Sequence, residues 1–530
     1  MKYPIGVQSF ERIIKEGYVY IDKTDLIYQL TRGSIYFLSR PRRFGKSLLV
    51  STLENYYLGR KKLFEGLKIA ELEKDWKTYP VFHIDFNSDN FANANTLQIT
   101  IERYVSQWEK LYRVEADTQL SVGRRFAEVL KAAHEQTGQR CVVLIDEYDK
   151  PLLDVMGLSE TIRQNNVEIT LEENNRNILK GFYSTFKLAD NDLQFVLLTG
   201  VTKFSQISVF SGFNQPNDIS MAPQFETLCG ITDEELELYF HDAIQELANN
   251  YNYTYKEMRD VLRQQFDGYH FGTRLKGVYN PFSLLNTFFN MNIRDYWFRT
   301  GTPTYLVRLL QDYHENLNDL TGKYYDESEF VDYRADREMP LPMIYQSGYL
   351  TIKDYDREMQ TYLLDFPNAE VKKGFVTMTA NSYLGTREDT GSWVRSAVIA
   401  LKRGELDKFR TLLTSFLASI PYTARRKENE TERERYFTYT LYLIFRIASC
   451  YITYIEKEQS YGRLDCCVET AHQVYIFEFK LDGSAEAALQ QIEEKGYAKE
   501  FAAKGKIIYK VGVNISSETG TVDGWVQREG

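Results

Sequence analysis

The sequence lacks the features of a secreted, membrane-spanning or disulfide-stabilised protein. Met1-Lys2-Tyr3-Pro4 leads directly into an amphipathic stretch, without the continuous apolar core that a signal peptide requires. The most apolar long stretch, residues 437–455, is interrupted by Arg446 and is rich in Tyr and Thr, so it is too polar for a membrane span. Five cysteines form neither a CxxC pair nor an even framework. We therefore expect reduced thiols, a cytoplasmic location and no membrane partner.

The sequence also has few prolines and carries no net positive charge. Only 12 Pro accompany 39 Tyr and 32 Phe, and since no aromatic repeat stands out, we interpret the aromatics as packing groups. The formal net charge is -10, so a nucleic-acid partner would need a local basic patch. One candidate patch lies at residues 40–46; a second, at residues 425–435, is more typical of a solvated linker. A length of 530 residues indicates about three or four folded units.

The first chemical motif follows a predicted buried strand at residues 34–39. Arg40-Pro41-Arg42-Arg43-Phe44-Gly45-Lys46-Ser47 comes next, and a helix that ends at Gly59 follows it. Strand, Gly-Lys-Ser loop and helix form the arrangement of a P-loop. Its backbone N–H groups, at Arg43, Phe44 and Gly45, would face phosphate oxygens, Lys46 would contact the β- and γ-phosphates, and Ser47 would ligate Mg²⁺. The pattern asks for glycine six positions before the lysine, and here that position is Arg40.

A second apolar run supports a nucleotide site. Cys141-Val142-Val143-Leu144-Ile145 runs into Asp146-Glu147, which predicts a buried parallel strand with two carboxylates at its C-terminal tip. We expect Asp146 to hold Mg²⁺ through water and Glu147 to orient or deprotonate the attacking water. Thr199 follows another apolar run and is either a γ-phosphate sensor or an ordinary strand end. ATP and Mg²⁺ are the predicted cofactors.

A third constellation lies near the C-terminus. Residues 474–480 alternate, which places Glu478 and Lys480 on one face of a predicted strand. Asp465 precedes them, and a helix containing Gln491 is expected after Ser484, its candidate N-cap. Two carboxylates are oxygen ligands suited to Mg²⁺, so Asp465 and Glu478 are the predicted metal ligands. Lys480 would stabilise developing charge on a phosphodiester or help to deprotonate a water.

These motifs resemble known families. Tyr20-Ile21-Asp22-Lys23-Thr24, the Arg40–Ser47 loop and Phe210-Ser211-Gly212-Phe213-Asn214 are similar to AAA-ATPase-like proteins common in gut Bacteroidetes and other anaerobes. The resemblance implies an AAA-type P-loop core with a parallel sheet at residues 1–220 and a helical lid at 221–304. It also implies that Arg40 takes the place of the first P-loop glycine as a family feature.

The remaining chain resembles two further modules. Helices followed by strands at residues 348–352 and 360–364, around a turn at 353–359, suggest a winged-helix-like module at 305–400, for partner docking or nucleic-acid contact. Asp465, Glu478 and Lys480 look like the D…ExK constellation of PD-(D/E)XK nucleases, which implies an α/β nuclease-like domain at 401–530. In that branch the Gln491 helix carries a Gln-Ile-x-x-Lys-x-Tyr pattern, and an upstream acid is expected, for which Glu434 is the candidate.

The sequence thus predicts a multidomain α/β protein in which a P-loop ATPase is joined to a Mg²⁺-dependent nuclease, with DNA as the favoured partner. The alternative is a nucleotide-dependent switch that binds a protein or nucleic acid and uses a non-cleaving nuclease-like domain for recognition. Metal binding at Asp465 and Glu478 discriminates between them. The oligomeric state stays open, a homo-oligomer included.

Overall fold

The computed structural model describes residues 1–164, 167–204, 216–301, 320–331, 340–384, 390–419, 440–441, 444–445, 453–456 and 464–529. The chain divides into two compact units, Met1–Val371 and Lys372–Gly530. Among the described residues, no helix has the length and apolar character that crossing a bilayer requires. The four-part division into residues 1–220, 221–304, 305–400 and 401–530 stays a prediction.

The first unit begins as an alternation of helices and strands and continues into helices and a small sheet. Its strands are β1 (Ile35–Ser39), β2 (Val81–Asp85), β3 (Cys141–Asp146), β4 (Thr161–Gln164), β5 (Val167–Thr170), β6 (Leu193–Gly200), β7 (Asn217–Asp218), β8 (Lys323–Tyr325), β9 (Thr351–Asp356) and β10 (Thr361–Asp365). Its helices are α1 (Phe10–Lys15), α2 (Thr24–Leu30), α3 (Lys46–Tyr57), α4 (Ile69–Leu72), α5 (Thr96–Leu111), α6 (Val122–Thr137), α7 (Lys150–Leu153), α8 (Leu171–Tyr183), α9 (Thr185–Leu188), α10 (Asp233–Tyr251), α11 (Tyr255–Phe266), α12 (Pro281–Asn290), α13 (Tyr296–Gly301), α14 (Glu327–Phe330) and α15 (Leu341–Gln346).

The main sheet of this unit has the order β2-β3-β6-β1-β7, and its described pairings are all parallel. Every residue of β3 is buried, as expected for a parallel strand covered on both faces. The parallel sheet core is therefore confirmed. Because parallel strands end at the same edge, the tips of β1, β2, β3 and β6 form one rim, which is where open α/β sheets bind ligands.

The helices α10, α11 and α12 bury one shared apolar cluster, onto which Tyr3 and Ile5 from the start of the chain also pack. Capping boxes at Thr232 and Thr254 begin α10 and α11, since each threonine and the glutamate three residues later satisfy each other's backbone N–H groups. Both helices lie within residues 221–304, for which the sequence resemblance implied a helical lid. Whether these helices act as a lid stays a prediction.

A small antiparallel sheet of order β8-β10-β9 closes the first unit. The predicted hairpin is present, but the turn predicted at 353–359 is misplaced, because the first strand runs from Thr351 to Asp356. That strand begins later than predicted because Gly348 adopts φ +87 in the turn that follows α15. The strand β8 was not predicted. Part of the predicted winged-helix-like module, residues 302–319 and 332–339, lies outside the described residues, so that assignment stays a prediction.

The second unit is built on a mixed sheet. The boundary at Val371 and Lys372 falls within α16 (Ala369–Leu384), and α17 (Thr390–Lys402), α18 (Leu406–Ser419) and α19 (Ala485–Lys495) follow. The strands β11 (Thr453–Glu456), β12 (Leu464–Glu469), β13 (Gln473–Leu481), β14 (Ile507–Ile515) and β15 (Val522–Glu529) pair in chain order. Only β13 and β14 pair in parallel, and α19 lies between them in sequence; the other described pairings are antiparallel.

Candidate functional site

The loop after β1 ends in a glycine with positive φ at the start of α3. Gly45 has φ +96 and is the N-cap of α3, a conformation that favours glycine. Lys46 is almost fully buried, and its Nζ donates to Arg40 O at 3.1 Å and to Pro41 O at 3.4 Å. The same Nζ lies 3.6 Å from Glu147 Oε1. The ammonium therefore sits between the loop and the acidic tip of β3.

Arg40 explains why this loop does without its first glycine. Its backbone does not have a positive φ, so no glycine is needed there. Its buried guanidinium donates to Ser220 O at 2.6 Å and to Phe225 O at 3.1 Å, and lies 4.1 Å from the centroid of the Phe271 ring. Burial lowers the pKa of Arg40. The side chain thus binds the segment that leads to the helical region.

The tip of β3 brings the predicted acids next to Lys46. Asp146 is buried, and its Oδ1 accepts a hydrogen bond from the Thr199 hydroxyl at 2.6 Å and one from Glu147 N at 3.1 Å. Glu147 has φ +53, which turns the chain immediately after the strand. Asp85, which the sequence interpretation left out, pairs with Asp146 in the sheet register, and its pKa is raised by burial and by the charge of Asp146. The rim therefore holds three acids, Asp85, Asp146 and Glu147, and the Lys46 ammonium faces Glu147.

Asp149 is a second acid that the sequence interpretation missed. It is fully buried, and its Oδ2 accepts from Val201 N at 2.9 Å and from Thr202 N at 2.6 Å, which ties the end of β6 to the turn after β3. Burial, followed by the negative charge of Glu147, raises the pKa of Asp149 to about 7. The sequence feature that could have identified Asp149 is its position two residues after Glu147, just beyond a buried strand.

In the second unit the alternation of β13 is confirmed. Ile476 packs in one apolar cluster with Leu489 and Ile492 of α19. Phe477, on the opposite face, contacts the rings of Phe409 and Phe445 at 5.5 and 5.4 Å between centroids. Glu478 and Lys480 therefore lie on the α19 side of the sheet. Ser484 caps α19 as expected, since its hydroxyl accepts from Ala487 N at 3.1 Å.

The α19 side of β13 carries three connected polar side chains. Lys480 Nζ donates to Gln491 Oε1 at 2.6 Å and lies 3.5 Å from Glu478 Oε1. Glu478 is fully buried, and among the described residues its Oε2 has no hydrogen-bond partner. Burying a carboxylate oxygen without a hydrogen-bond partner costs free energy unless a cation or a hydrogen-bond donor binds to it. The site therefore fits a hard metal ion.

Two more acids were predicted at this site: Asp465 as a metal ligand and Glu434 as the upstream acid. The strand register pairs Asp465 with Glu478 across β12 and β13. Glu434, the predicted upstream acid, lies outside the described residues, as do the basic segment 425–435 and the Phe210–Asn214 motif. Within the described part of the chain, no group of three or more His, Cys, Asp or Glu side chains is placed to hold a metal ion.

The predicted residues of the P-loop occupy different environments. Phe44 is buried against the rings of Tyr269 and Phe271, at 4.8 and 5.5 Å between centroids, so only its backbone is available to a ligand. Arg43 is exposed, has φ +68, and its guanidinium lies 5.0 Å from the Phe282 ring centroid. Ser47 lies in the first turn of α3. Their roles in binding stay predictions.

Comparison with known proteins agrees with these two regions. Residues 4–210 match the family model described as Predicted AAA-ATPase, and residues 432–525 match the PD-(D/E)XK nuclease superfamily. The chain is also 35% identical over 533 residues to the "Uncharacterized protein in vnfD 5'region" of Azotobacter chroococcum mcd 1. That alignment covers 99% of this chain and 98% of the relative. The chain therefore belongs to the predicted AAA-ATPase-like family and carries a C-terminal domain of the PD-(D/E)XK nuclease superfamily.

Proposed function

We propose that this protein binds and hydrolyses ATP at the rim of the first sheet and uses the nucleotide to control a Mg²⁺-dependent nuclease in its second unit. The observation that carries the nuclease half is Glu478, whose buried carboxylate has an oxygen without a partner among the described residues, beside a lysine held by Gln491. The ATPase half rests on Lys46, which lies between the loop carbonyls and Glu147.

At the ATP site, Lys46 supplies positive charge to the terminal phosphates, and Ser47 and Asp146 are the residues that would hold Mg²⁺. Glu147 accepts a proton as the attacking water forms its bond to the γ-phosphorus. The bond between that phosphorus and the β–γ bridging oxygen breaks, and ADP leaves with the electron pair. Thr199 keeps the Asp146 carboxylate in place through its 2.6 Å hydrogen bond.

At the nuclease site, Asp465 and Glu478 are the residues that would hold Mg²⁺, which supplies positive charge opposite a phosphodiester. Lys480 adds a second positive charge that stabilises the developing negative charge on the phosphate oxygens. Gln491 fixes the Lys480 ammonium through the 2.6 Å hydrogen bond. DNA is the substrate we favour.

Nucleotide binding is tested first by equilibrium titration with ATP. Lys46→Ala should abolish binding, whereas Glu147→Gln should keep binding and lose hydrolysis, because only the latter removes the base. Lys68→Ala is the control, since Lys68 forms an exposed ion pair with Asp25 at 3.3 Å on the same unit. Binding and turnover at the wild-type level in Lys46→Ala would contradict the site.

The nuclease is tested by incubating plasmid and single-stranded DNA with Mg²⁺, with and without ATP. Glu478→Gln and Lys480→Ala should remove cleavage while leaving ATP binding intact. Lys506→Ala is a matched control, because Lys506 contacts Glu469 at 2.7 Å elsewhere on the same domain. If the wild type turns over ATP yet cleaves neither substrate, the non-cleaving switch becomes the better account.

A further inference from the structure

Trp297 reaches the P-loop from outside the parallel-sheet core. It lies in α13, is 1% exposed, and its indole N–H donates to Arg42 O at 2.9 Å. The described residues contain no cis peptide, and in a trans peptide the C=O and the following N–H point in opposite directions. Holding the Arg42 carbonyl therefore also fixes the direction of the Arg43 N–H, one of the loop donors expected to meet phosphate.

Glu370 holds Trp297 in turn. Its Oε1 accepts from Trp297 N at 2.7 Å and from Phe298 N at 3.3 Å, and its Oε2 accepts from the Ser283 hydroxyl at 2.8 Å. Ser283 Oγ itself accepts from Trp297 N at 3.0 Å. Glu370, Ser283 and Trp297 are all buried, so the carboxylate is a junction of α12, α13 and its own helix rather than a surface contact.

Glu370 also occupies a special place along the chain. It lies in the first turn of α16, and the boundary between the two compact units falls one residue later, within the same helix. Hydrogen bonds thus join the Arg42 carbonyl to the Trp297 indole, and the Trp297 backbone N–H to the Glu370 carboxylate. Glu370 in turn belongs to the helix that leads into the second unit. Buried, close-packed groups transmit small shifts because the surroundings cannot absorb them.

We propose that Trp297 is a positioning residue for the P-loop, and that Trp297 and Glu370 connect the conformation of that loop to α16. This inference rests on the proposed ATP site and adds a route of regulation to it. When ATP draws the Arg43 N–H toward phosphate, the Arg42 carbonyl turns with it. The hydrogen bond to Trp297 then changes, and Glu370 passes the change to the start of α16.

The test measures hydrogen exchange of the α16 amides at residues 372–384 in the full chain, with and without ATP and Mg²⁺, together with ATP affinity. Trp297→Phe keeps an aromatic ring near Tyr349, whose ring centroid lies 5.4 Å from that of Trp297, and removes the N–H donor together with part of the ring volume. Trp393→Phe is the matched control: its indole donates to Leu412 O at 2.7 Å and its ring stacks 4.4 Å from Phe416, both in the second unit.

We expect ATP to change exchange across residues 372–384 in the wild type and in Trp393→Phe. Trp297→Phe should lose most of that change while its ATP affinity falls by about tenfold or less, the effect of one lost buried hydrogen bond. Glu370→Gln, which keeps the shape of the side chain, should reduce the response with ATP affinity near wild type. Circular dichroism confirms that each variant is folded.

Two outcomes would overturn this proposal and leave the proposed ATP site standing. One is an intact α16 response in folded Trp297→Phe that binds ATP, and the other is a wild type that binds ATP without any α16 response. A wild type that binds no ATP would overturn the proposed ATP site, and the inference with it.

Discussion

The hydroxyl of Thr199 donates to Oδ1 of Asp146 at 2.6 Å, which joins the tips of the neighbouring strands β6 and β3. Both side chains are buried, so the bond is shielded from water and the carboxylate is held in one orientation. The sequence left Thr199 between a phosphate sensor and an ordinary strand end. Its contact with Asp146 supports a third role, in which it positions the predicted Mg²⁺ ligand.

Thr199→Val should therefore lower the rate of ATP hydrolysis at saturating ATP by about tenfold or more, since hydrogen bonds to charged groups contribute about 1.5–3 kcal/mol. Thr199→Ser keeps the hydroxyl and should restore most of the rate. Thr202→Val is the control, because among the described residues the buried Thr202 hydroxyl has no hydrogen-bond partner. Equal rates in Thr199→Val and wild type, measured by phosphate release, would show that the bond does not matter.

Gly348 allows the small sheet region to approach the P-loop. It has φ +87, and a Cβ at this position would lie 2.6 Å from Pro41 Cβ. Gly348→Ala should therefore weaken ATP binding and destabilise the first unit by about 2–4 kcal/mol, from left-handed strain plus overpacking. Gly322→Ala is matched: its φ is +70, but nothing lies within 4 Å of its Cβ.

The difference between these two alanine variants isolates the contact with the loop from the cost of backbone strain. Urea unfolding and ATP titration of both variants give the two quantities. If both variants lose the same stability and bind ATP equally well, the close approach of Gly348 to Pro41 has no influence on the nucleotide site.

The parts of this fold that the sequence predicted are those with a strong local pattern. The strand ending at Asp146, the helix that stops before Gly59, and the alternation around Glu478 each follow from neighbouring residues, and the structure has them. Even here, boundaries moved by a few residues, as at Gly348. Local periodicity fixes the type of an element better than its ends.

The contacts that organise the sites come from residues distant in sequence. Trp297 reaches Arg42 across 255 positions, and Asp149 binds the backbone of Val201 and Thr202 more than 50 positions away. A lone tryptophan or aspartate carries no mark of such a contact, because the partner is a backbone group that every residue possesses. Arg40 is similar: the sequence showed a missing glycine, but not that the guanidinium would bind Ser220 O and Phe225 O.

Two buried acids make the stability of the first unit depend on pH. Burial, followed by the charge of Glu147, raises the pKa of Asp149 to about 7, and burial raises the pKa of Glu370 to about 7. An acid whose pKa is higher in the folded state than in the unfolded state binds more protons when the protein is folded. Its contribution to the free energy of unfolding is therefore largest below the unfolded-state pKa, and it is lost as the pH rises to about 7. The window therefore runs from about pH 4 to pH 7.

The double variant Asp149→Asn, Glu370→Gln should flatten the loss of stability that wild type shows across this window. Urea unfolding followed by hydrogen exchange of the β3 amides measures the first unit specifically. Glu65→Gln removes one exposed carboxylate from the same unit and should leave the wild-type slope unchanged. A double variant with the wild-type slope would mean that neither acid is protonated preferentially in the folded state.

The last prediction concerns Gln491, which, within the described part of the chain, contacts the proposed nuclease site through Lys480. Gln491→Leu removes the acceptor of the 2.6 Å hydrogen bond from Lys480 Nζ and should lower Mg²⁺-dependent DNA cleavage by about tenfold to a hundredfold. Gln490→Leu is the control, because the adjacent Gln490 is exposed and its amide donates to Glu494 of the same helix at 2.7 Å.

Cleavage rate and DNA affinity must be measured together, since a freed lysine still carries its charge. If Gln491 positions Lys480, the variant keeps its DNA affinity and loses rate, whereas a purely structural role would lower both through loss of folded protein. Gln491→Glu provides a further comparison: it keeps an oxygen acceptor for Lys480, so it should retain the lysine position better than leucine does. Unchanged cleavage in Gln491→Leu would show that Lys480 needs no support from α19, and the role of this helix would then be limited to packing against β13 and β14.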